Sequence, residues 1–281
     1  MQWFGKGSGN VDDRRGMSGG AAIGGIGGIV LVVLGLLFGQ DFSGMVSQLP
    51  IGGQTAVEGK SGVPADAEGR WASNILESTE IIWTAQFEKM GRQYEPPVLT
   101  LFENSVATSC GNASSAVGPF YCPADRHVYL DLSFYKELNE RFGASGDFAN
   151  AYVIAHEVGH HIQTLLGISD KMDRYRSQLS EVEYNKLSVK LELQADFFAG
   201  VWAHDAKNLG PEMFKLEEGD IEEALNAANA IGDDKLQKQA QGEVKPDSFT
   251  HGTSAQRMFW FKKGFDTGDV EQGDTFNSEH L

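Results

Sequence analysis

The sequence predicts an α+β domain, mainly helical with a small sheet, preceded by one transmembrane helix. Three observations carry this. Ala21 to Phe38 is an uncharged apolar run, Val98–Phe102 and Val128–Leu132 are short strand-like runs, and nearly everything after Leu132 has helical periodicity. The 281 residues are 41% hydrophobic, enough to bury one sizeable core, which argues against disorder throughout. Acidic residues number 39 against 23 basic ones, a formal net charge of −16 that disfavours nucleic acid phosphates as a partner.

Residues 1–20 are basic and glycine-rich, and residues 21–39 fit the roughly 20 residues of a bilayer-spanning helix. A buried core helix competes, but the glycines from Gly24 to Gly39 weaken a soluble helix by about 1 kcal/mol each and are better tolerated in lipid. A cleaved signal peptide also competes. No A-x-A site follows the run, and Gly39-Gln40-Asp41-Phe42 favours an uncleaved anchor. Lys6, Arg14 and Arg15 then stay cytoplasmic, and everything after Phe38 is extracytoplasmic, periplasmic in a Gram-negative cell. Gly20, Gly24 and Gly28 line one face and would let the anchor pair in a homodimer.

Such a compartment permits a Cys110–Cys122 disulfide, which loop entropy values at about 3 kcal/mol; two buried free thiols are the alternative. Residues 40–69 read as a flexible linker rich in Gly, Ser, Ala and Pro. The domain spans residues 70–265. Trp71, Ile75, Ile82 and Phe87 mark a first helix that ends before Pro96-Pro97. Two strands follow, separated by a cysteine loop containing Gly111, Gly118 and Pro119. Asp147 is a plausible N-cap for a helix closing near Gly167, and Asp170–Ala206 supplies more helix. Leu216–Gly242 reads as a surface helical pair and Thr253–Phe265 as an amphipathic helix, with residues 266–281 a tail, disordered from Phe276.

The chemistry centres on His156-Glu157-Val158-Gly159-His160. Four helical residues turn about 400°, so His156 and His160 project from one face and reach a common metal, with Glu157 beside them as a general base. Val153, Ile154 and Ala155 before the motif, and Ile162, Leu165 and Leu166 after it, make the helix otherwise apolar. Polar groups buried there need a compensating partner. His161 points off that face, to a supporting or surface position. Two cysteines without a C-x-x-C spacing are too few for a thiolate site, and two imidazoles do not complete a catalytic one, so a third ligand is needed downstream. Glu192-Leu193-Gln194-Ala195-Asp196 places two carboxylates one turn apart. Glu192 is the third-ligand candidate, ahead of His204, Glu181 and Glu183, and Asp196 would orient a histidine ligand by accepting its distal N–H. Imidazole ligation selects Zn2+, one per chain, over magnesium.

HEVGHH, LELQADFFAG and THGTSAQRMFWF together resemble the bacterial neutral zinc metallopeptidases, over roughly Met1 to Phe265. More distantly, Glu192 to Asp196 is similar to the E-x-x-x-D element of glutamate-zincins, particularly the CAAX-type and HtpX-type membrane peptidases. Those follow it with a histidine and, six residues on, an arginine. His251 and Arg257 have that spacing here, although His251-Gly252 replaces the usual His-Pro. The resemblance implies a zincin-like fold and hydrolysis of a protein or peptide substrate. It further implies that His251 donates to the developing oxyanion and that Arg257 braces the site. The substrate is expected as an added strand along Val128–Leu132. A membrane-tethered zinc-binding scaffold without proteolytic activity is the alternative, and a zinc hydrolase acting on a non-peptide amide another. Glu157 speaks against the scaffold, because a structural site needs no base.

Overall fold

Side-chain alternation along two short strands sets the centre of the molecule. A computed structural model describes residues 1–16, 59–210 and 213–279. Its strands are β1 (Gln2–Trp3), β2 (Val11–Asp13), β3 (Lys60–Ser61), β4 (Val98–Leu101), β5 (Ser105–Thr108), β6 (Gly111–Ser114), β7 (Phe120–Cys122), β8 (His127–Leu130) and β9 (Phe214–Lys215). Its helices are α1 (Ala67–Lys89), α2 (Phe134–Glu140), α3 (Asp147–Leu165), α4 (Ile168–Arg176), α5 (Glu181–Ala206), α6 (Asp220–Ala230), α7 (Asp233–Gln241) and α8 (Ser254–Thr267).

The main sheet runs β3-β2-β4-β8-β7, with β2, β4 and β8 parallel and the two outer strands antiparallel. Successive residues face opposite sides. Leu99, Leu101, Val128 and Leu130 enter the main core with α1 and α3, whereas Tyr129 turns to a small second cluster with Phe102, Val106 and Cys122. The β5–β6 hairpin contributes Val106 and Ala113 to that cluster, and a Cys110–Cys122 disulfide ties the hairpin turn to β7. The substrate strand expected along Val128–Leu132 needs correction. β8 is paired on both sides, and the sheet edge beyond it is β7.

Helix ends follow local chemistry. Asp66 caps α1 by accepting from Gly69 N at 2.9 Å, while Ser180 with Glu183 and Thr253 with Gln256 form capping boxes on α5 and α8. Asp147 is not the N-cap of α3. That place belongs to Gly146 at φ 118°, and Glu223 from α6 accepts the Phe148 N–H at 3.0 Å. The Asp147 carboxylate faces instead the Met1 α-ammonium, 3.2 Å away. The predicted surface pair at 216–242 is α6 and α7, yet Ala224, Ala227 and Ala228 of α6 are fully buried and join the main core with Ala151 and Ala155 of α3.

The N-terminal region departs most from expectation. No helix among the described residues is long and apolar enough to cross a membrane. The expected span at 21–39, the Gly20, Gly24 and Gly28 face, and residues 40–58 of the expected linker lie outside the described residues. The expected topology is overturned by what flanks them. Residues 1–16 are not a separate cytoplasmic segment: β2 pairs with β4, and Asp12 and Asp13 pair with Ser61 and Lys60. A single crossing would put Gly16 and Gly59 on opposite faces of a bilayer, whereas both adjoin strands of one sheet. A single-pass arrangement with a cytoplasmic N-terminus and an extracytoplasmic domain is therefore incompatible with this fold. The expected linker likewise contributes β3, and α1 begins at Ala67 rather than Arg70.

The C-terminal end also differs from the expected tail. α8 continues to Thr267 and stops at Gly268, φ 59°. A 3-10 turn at Val270–Gly273 follows, and the chain then docks on α5, where Thr275 Oγ1 donates to Lys190 O at 2.6 Å and Lys190 Nζ to Phe276 O at 2.8 Å. Thr275 is fully buried, because its hydroxyl has that backbone acceptor.

Candidate metal centre

α3 is buried on nearly every side, so its polar residues are polar against the grain of their surroundings. His156 and His160 lie one turn apart on it, their rings 4.9 Å between centroids. α5 crosses it close enough for Glu192 to face both: Oε2 is 3.1 Å from His156 Nε2, and Oε1 is 3.4 Å from His160 Nε2. The approach requires Gly159, where a Cβ would lie 2.9 Å from Ala195 O. One donor atom from each of His156, His160 and Glu192 lies within 4.8 Å of the others, a grouping able to hold a metal ion. Two imidazoles with one carboxylate fit zinc and leave a coordination position open.

The far nitrogens show why these rings are held rather than free. His156 Nδ1 donates to Asp196 Oδ1 at 2.8 Å. Asp196 also accepts from Tyr152 Oη at 2.5 Å, from Arg257 Nε at 2.8 Å and from Arg257 Nη2 at 2.9 Å. Burial raises the Asp196 carboxyl, but Arg257 and His156 outweigh it and bring its pKa down to about 2. Arg257 is itself 2% exposed and spends its guanidinium on Asp196, Tyr152 Oη and Ile231 O. His160 Nδ1 instead meets Gln163 Oε1 at 2.8 Å. Burial lowers the pKa of His160, and the facing Glu192 carboxylate more than reverses that, to about 9. Glu192, burial notwithstanding, is held well below the ordinary carboxylate range by His160, His251 and His156.

Glu157 is 8% exposed, and burial raises its carboxyl pKa against the pull of His156 and His160. His251 comes from the loop before α8, with its side chain 40% exposed. Asp233 organises that loop: Oδ2 accepts from Thr250 N at 2.8 Å, His251 N at 2.6 Å and Gly252 N at 3.0 Å, while Oδ1 lies 3.3 Å from His251 Nδ1. Burial works against the charge on His251, and Glu192 and Asp233 raise its pKa in spite of it. The φ of +92° at Gly252 suits glycine, and a Cβ there would lie 3.1 Å from Val189.

The residues predicted for the metal and its chemistry lie near one another: His156, Glu157, His160, Glu192, Asp196, His251 and Arg257. The rival ligands are elsewhere, with His204 bonded to Phe265 O and Glu183 closing the α5 capping box; Glu181 lies in the first turn of α5, outside the ligand grouping. His161 is neither surface nor a support of the ligands. It is fully buried between Glu95 O, 2.6 Å from Nε2, and Tyr121 Oη, 3.0 Å from Nδ1. Sequence reasoning missed Tyr152, Gln163 and Asp233. The first two were within reach, one turn before His156 and three residues after His160 on the same helix. Asp233 had no local signal. A second acidic grouping, Asp147, Asp220 and Glu223, already receives a cation of the chain itself, since the Met1 ammonium is 3.2 Å from both aspartates.

Known proteins resemble the chain over nearly its whole length. The family described as "Putative neutral zinc metallopeptidase" matches residues 1–276. "Uncharacterized protein YpfJ" of Escherichia coli strain K12 is 49% identical over 288 residues, covering 98% of this chain and 99% of that protein. "Uncharacterized protein Mb2605" of Mycobacterium bovis and "Uncharacterized protein Rv2575" of Mycobacterium tuberculosis H37Rv are each 38% identical over 261 residues, 88% of this chain and 86% of theirs. No solved structure matches. The family match takes in both histidines, Glu192 and the residues that hold them, and the chain belongs to this neutral zinc metallopeptidase family.

Proposed function

We propose that the protein is a zinc-dependent endopeptidase with a zincin-like active site. The observation that carries this is the convergence of His156 Nε2, His160 Nε2 and the Glu192 carboxylate beside a buried Glu157. A zinc ion held by these three would supply Lewis acidity toward a carbonyl and a bound water. The residues do the rest. Asp196 and Gln163 hold the Nδ1 protons of the two histidines, so that both Nε2 atoms would be the ones to ligate a metal. Glu157 takes the proton of the attacking water and delivers it to the leaving amine. His251, kept in place by Asp233, donates to the oxyanion. Arg257 acts through Asp196 rather than on substrate. An extended substrate fits as a strand beside β7, whose outer side pairs with no other described strand.

Zinc content and proteolysis of the full chain test this together. Glu157→Gln keeps the side chain's size, so bound zinc and folding persist while hydrolysis falls by about 10² to 10⁴-fold. Glu192→Ala loses zinc affinity as well as activity, since a carboxylate ligand is removed. A wild type that holds zinc yet cleaves neither denatured proteins nor peptide libraries would establish the scaffold reading instead.

A further inference from the structure

Gln163 does more than meet His160. Its Nε2 donates to Leu191 O at 2.7 Å and to Gln194 Oε1 at 3.2 Å, and Gln194 Nε2 donates in turn to Gly273 O at 2.8 Å. Backbone carbonyls stand at two points of this chain of bonds, and a carbonyl can only accept. Leu191 O therefore requires the nitrogen of Gln163 to face it, which turns Oε1 toward His160. Gly273 O requires the nitrogen of Gln194, which turns its Oε1 toward Gln163. With Oε1 of Gln163 against it, His160 Nδ1 must carry a proton, and Nε2, which faces Glu192, is the nitrogen that would offer its lone pair to a metal. Gln163 and Gln194 are 1% and 6% exposed, so water does not compete for these bonds. Gly273 belongs to the C-terminal segment, which docks on α5 through Thr275 and Lys190, two residues before Glu192.

We propose that Gln163 and Gln194 are positioning residues that couple docking of the C-terminal segment, through Gly273 O, to the tautomer and ring orientation of His160. The inference rests on reading His156, His160 and Glu192 as the metal site. The two histidines then differ: an ionised carboxylate holds His156, whereas a neutral amide holds His160 and ties it to the end of the chain. A chain with its C-terminal segment undocked would keep all three ligands and bind metal poorly.

The test uses the full chain and two measurements, zinc affinity by chelator competition and the visible absorption of the cobalt-substituted protein. Gln163→Leu is expected to weaken zinc binding about 10- to 100-fold and to shift the cobalt bands. Gln194→Leu, and Thr275→Val, which removes only a hydroxyl on the C-terminal segment, shift both measurements in the same direction by less. The double Gln163→Leu/Gln194→Leu variant loses no more than Gln163→Leu alone, because the bonds act in series. Zinc affinity and cobalt spectra like the wild type's in Gln163→Leu and Gln194→Leu, or losses that simply add, would overturn the coupling. If the leucine variants do not fold, Thr275→Val decides it by the same two measurements. A wild type that binds no zinc, or a His156→Ala variant that binds it unchanged, overturns the metal-site reading and this inference with it; intact wild-type binding with silent variants overturns the inference alone.

Discussion

His161 follows a ligand in sequence and does none of its work, because one residue along a helix rotates the side chain by about 100°. Its Nε2 donates to Glu95 O, which anchors α3 to the chain entering β4, and Tyr121 Oη donates to Nδ1. The bond from Tyr121 requires an unprotonated Nδ1, whereas the bond to Glu95 O is open to either form and works against burial. Burial accordingly lowers its pKa to about 4 from 6.5. The sign of the consequence follows from proton binding: between these values the unfolded chain holds a proton that the folded one refuses. The stabilisation by His161 is complete above pH 6.5 and is lost as pH falls toward 4, about 2 kcal/mol of it by pH 5. Urea unfolding of wild type and His161→Phe at pH 7.5 and pH 5 should show the wild type's advantage shrinking by about that amount. An advantage that stays constant or grows on acidification would mean that the buried ring is charged.

Between elements, close helix crossings decide where the functional groups meet, and glycine decides how close. A Cβ at Gly159 would stand 3.0 Å from Ala195 Cα, and one at Gly264 would stand 2.1 Å from Phe197 O. Alanine is the better helix former by about 1 kcal/mol, so propensity alone would favour either replacement. The clash is larger. Gly159→Ala should cost about 1 to 3 kcal/mol net and should weaken zinc binding by drawing Glu192 away from both imidazoles. Chelator competition beside thermal unfolding checks it, and a stabilised variant with normal zinc affinity would refute it. The same crossings explain what could be read from sequence. His156, Glu157 and His160 are local to one turn, and Glu192 and Asp196 stand out as acids among apolar neighbours on another helix. Gln163 carries no charge to mark it. Asp233 lies 18 residues from His251, and its triple acceptor role exists only once the loop before α8 folds against the start of α7. The disulfide was expected from two cysteines in a loop-like stretch together with a topology that the fold overturns, and the hairpin it tethers was not expected, since Gly111-Asn112-Ala113-Ser114 lacks the β-branched and aromatic residues of a typical strand.

At the scale of the whole molecule, the residues least like a strand complete the sheet. Val11-Asp12-Asp13 is short and acidic, yet β2 lies between β3 and β4. Its charges are neutralised by their neighbours in sequence, with Arg14 2.7 Å from Asp12 and Arg15 2.7 Å from Asp13. Glu77 and Glu80 of α1 accept from Gly7, Ser8 and Asn10, binding the preceding loop to the helix as well. Removing residues 1–16 should therefore expose the edge of β4 and strip contacts from α1. The expected result is loss of a cooperative thermal transition rather than a change in cellular address. Replacing residues 17–58 by a four-residue Gly/Ser turn should do the opposite. Asp13 pairs with Lys60, so Arg14, Arg15, Gly16 and Gly59 already bring the chain near closure, and a short hairpin connection spans what remains. A short connection is itself cheap to close, because loop-closure entropy grows only with the logarithm of length. The shortened chain should keep its zinc content and unfold at a temperature equal to or above that of the full chain. If it fails to fold while a full-length control does, the pairing of β2 with β3 is wrong, and with it the argument that both ends of the replaced segment lie on one side of any membrane.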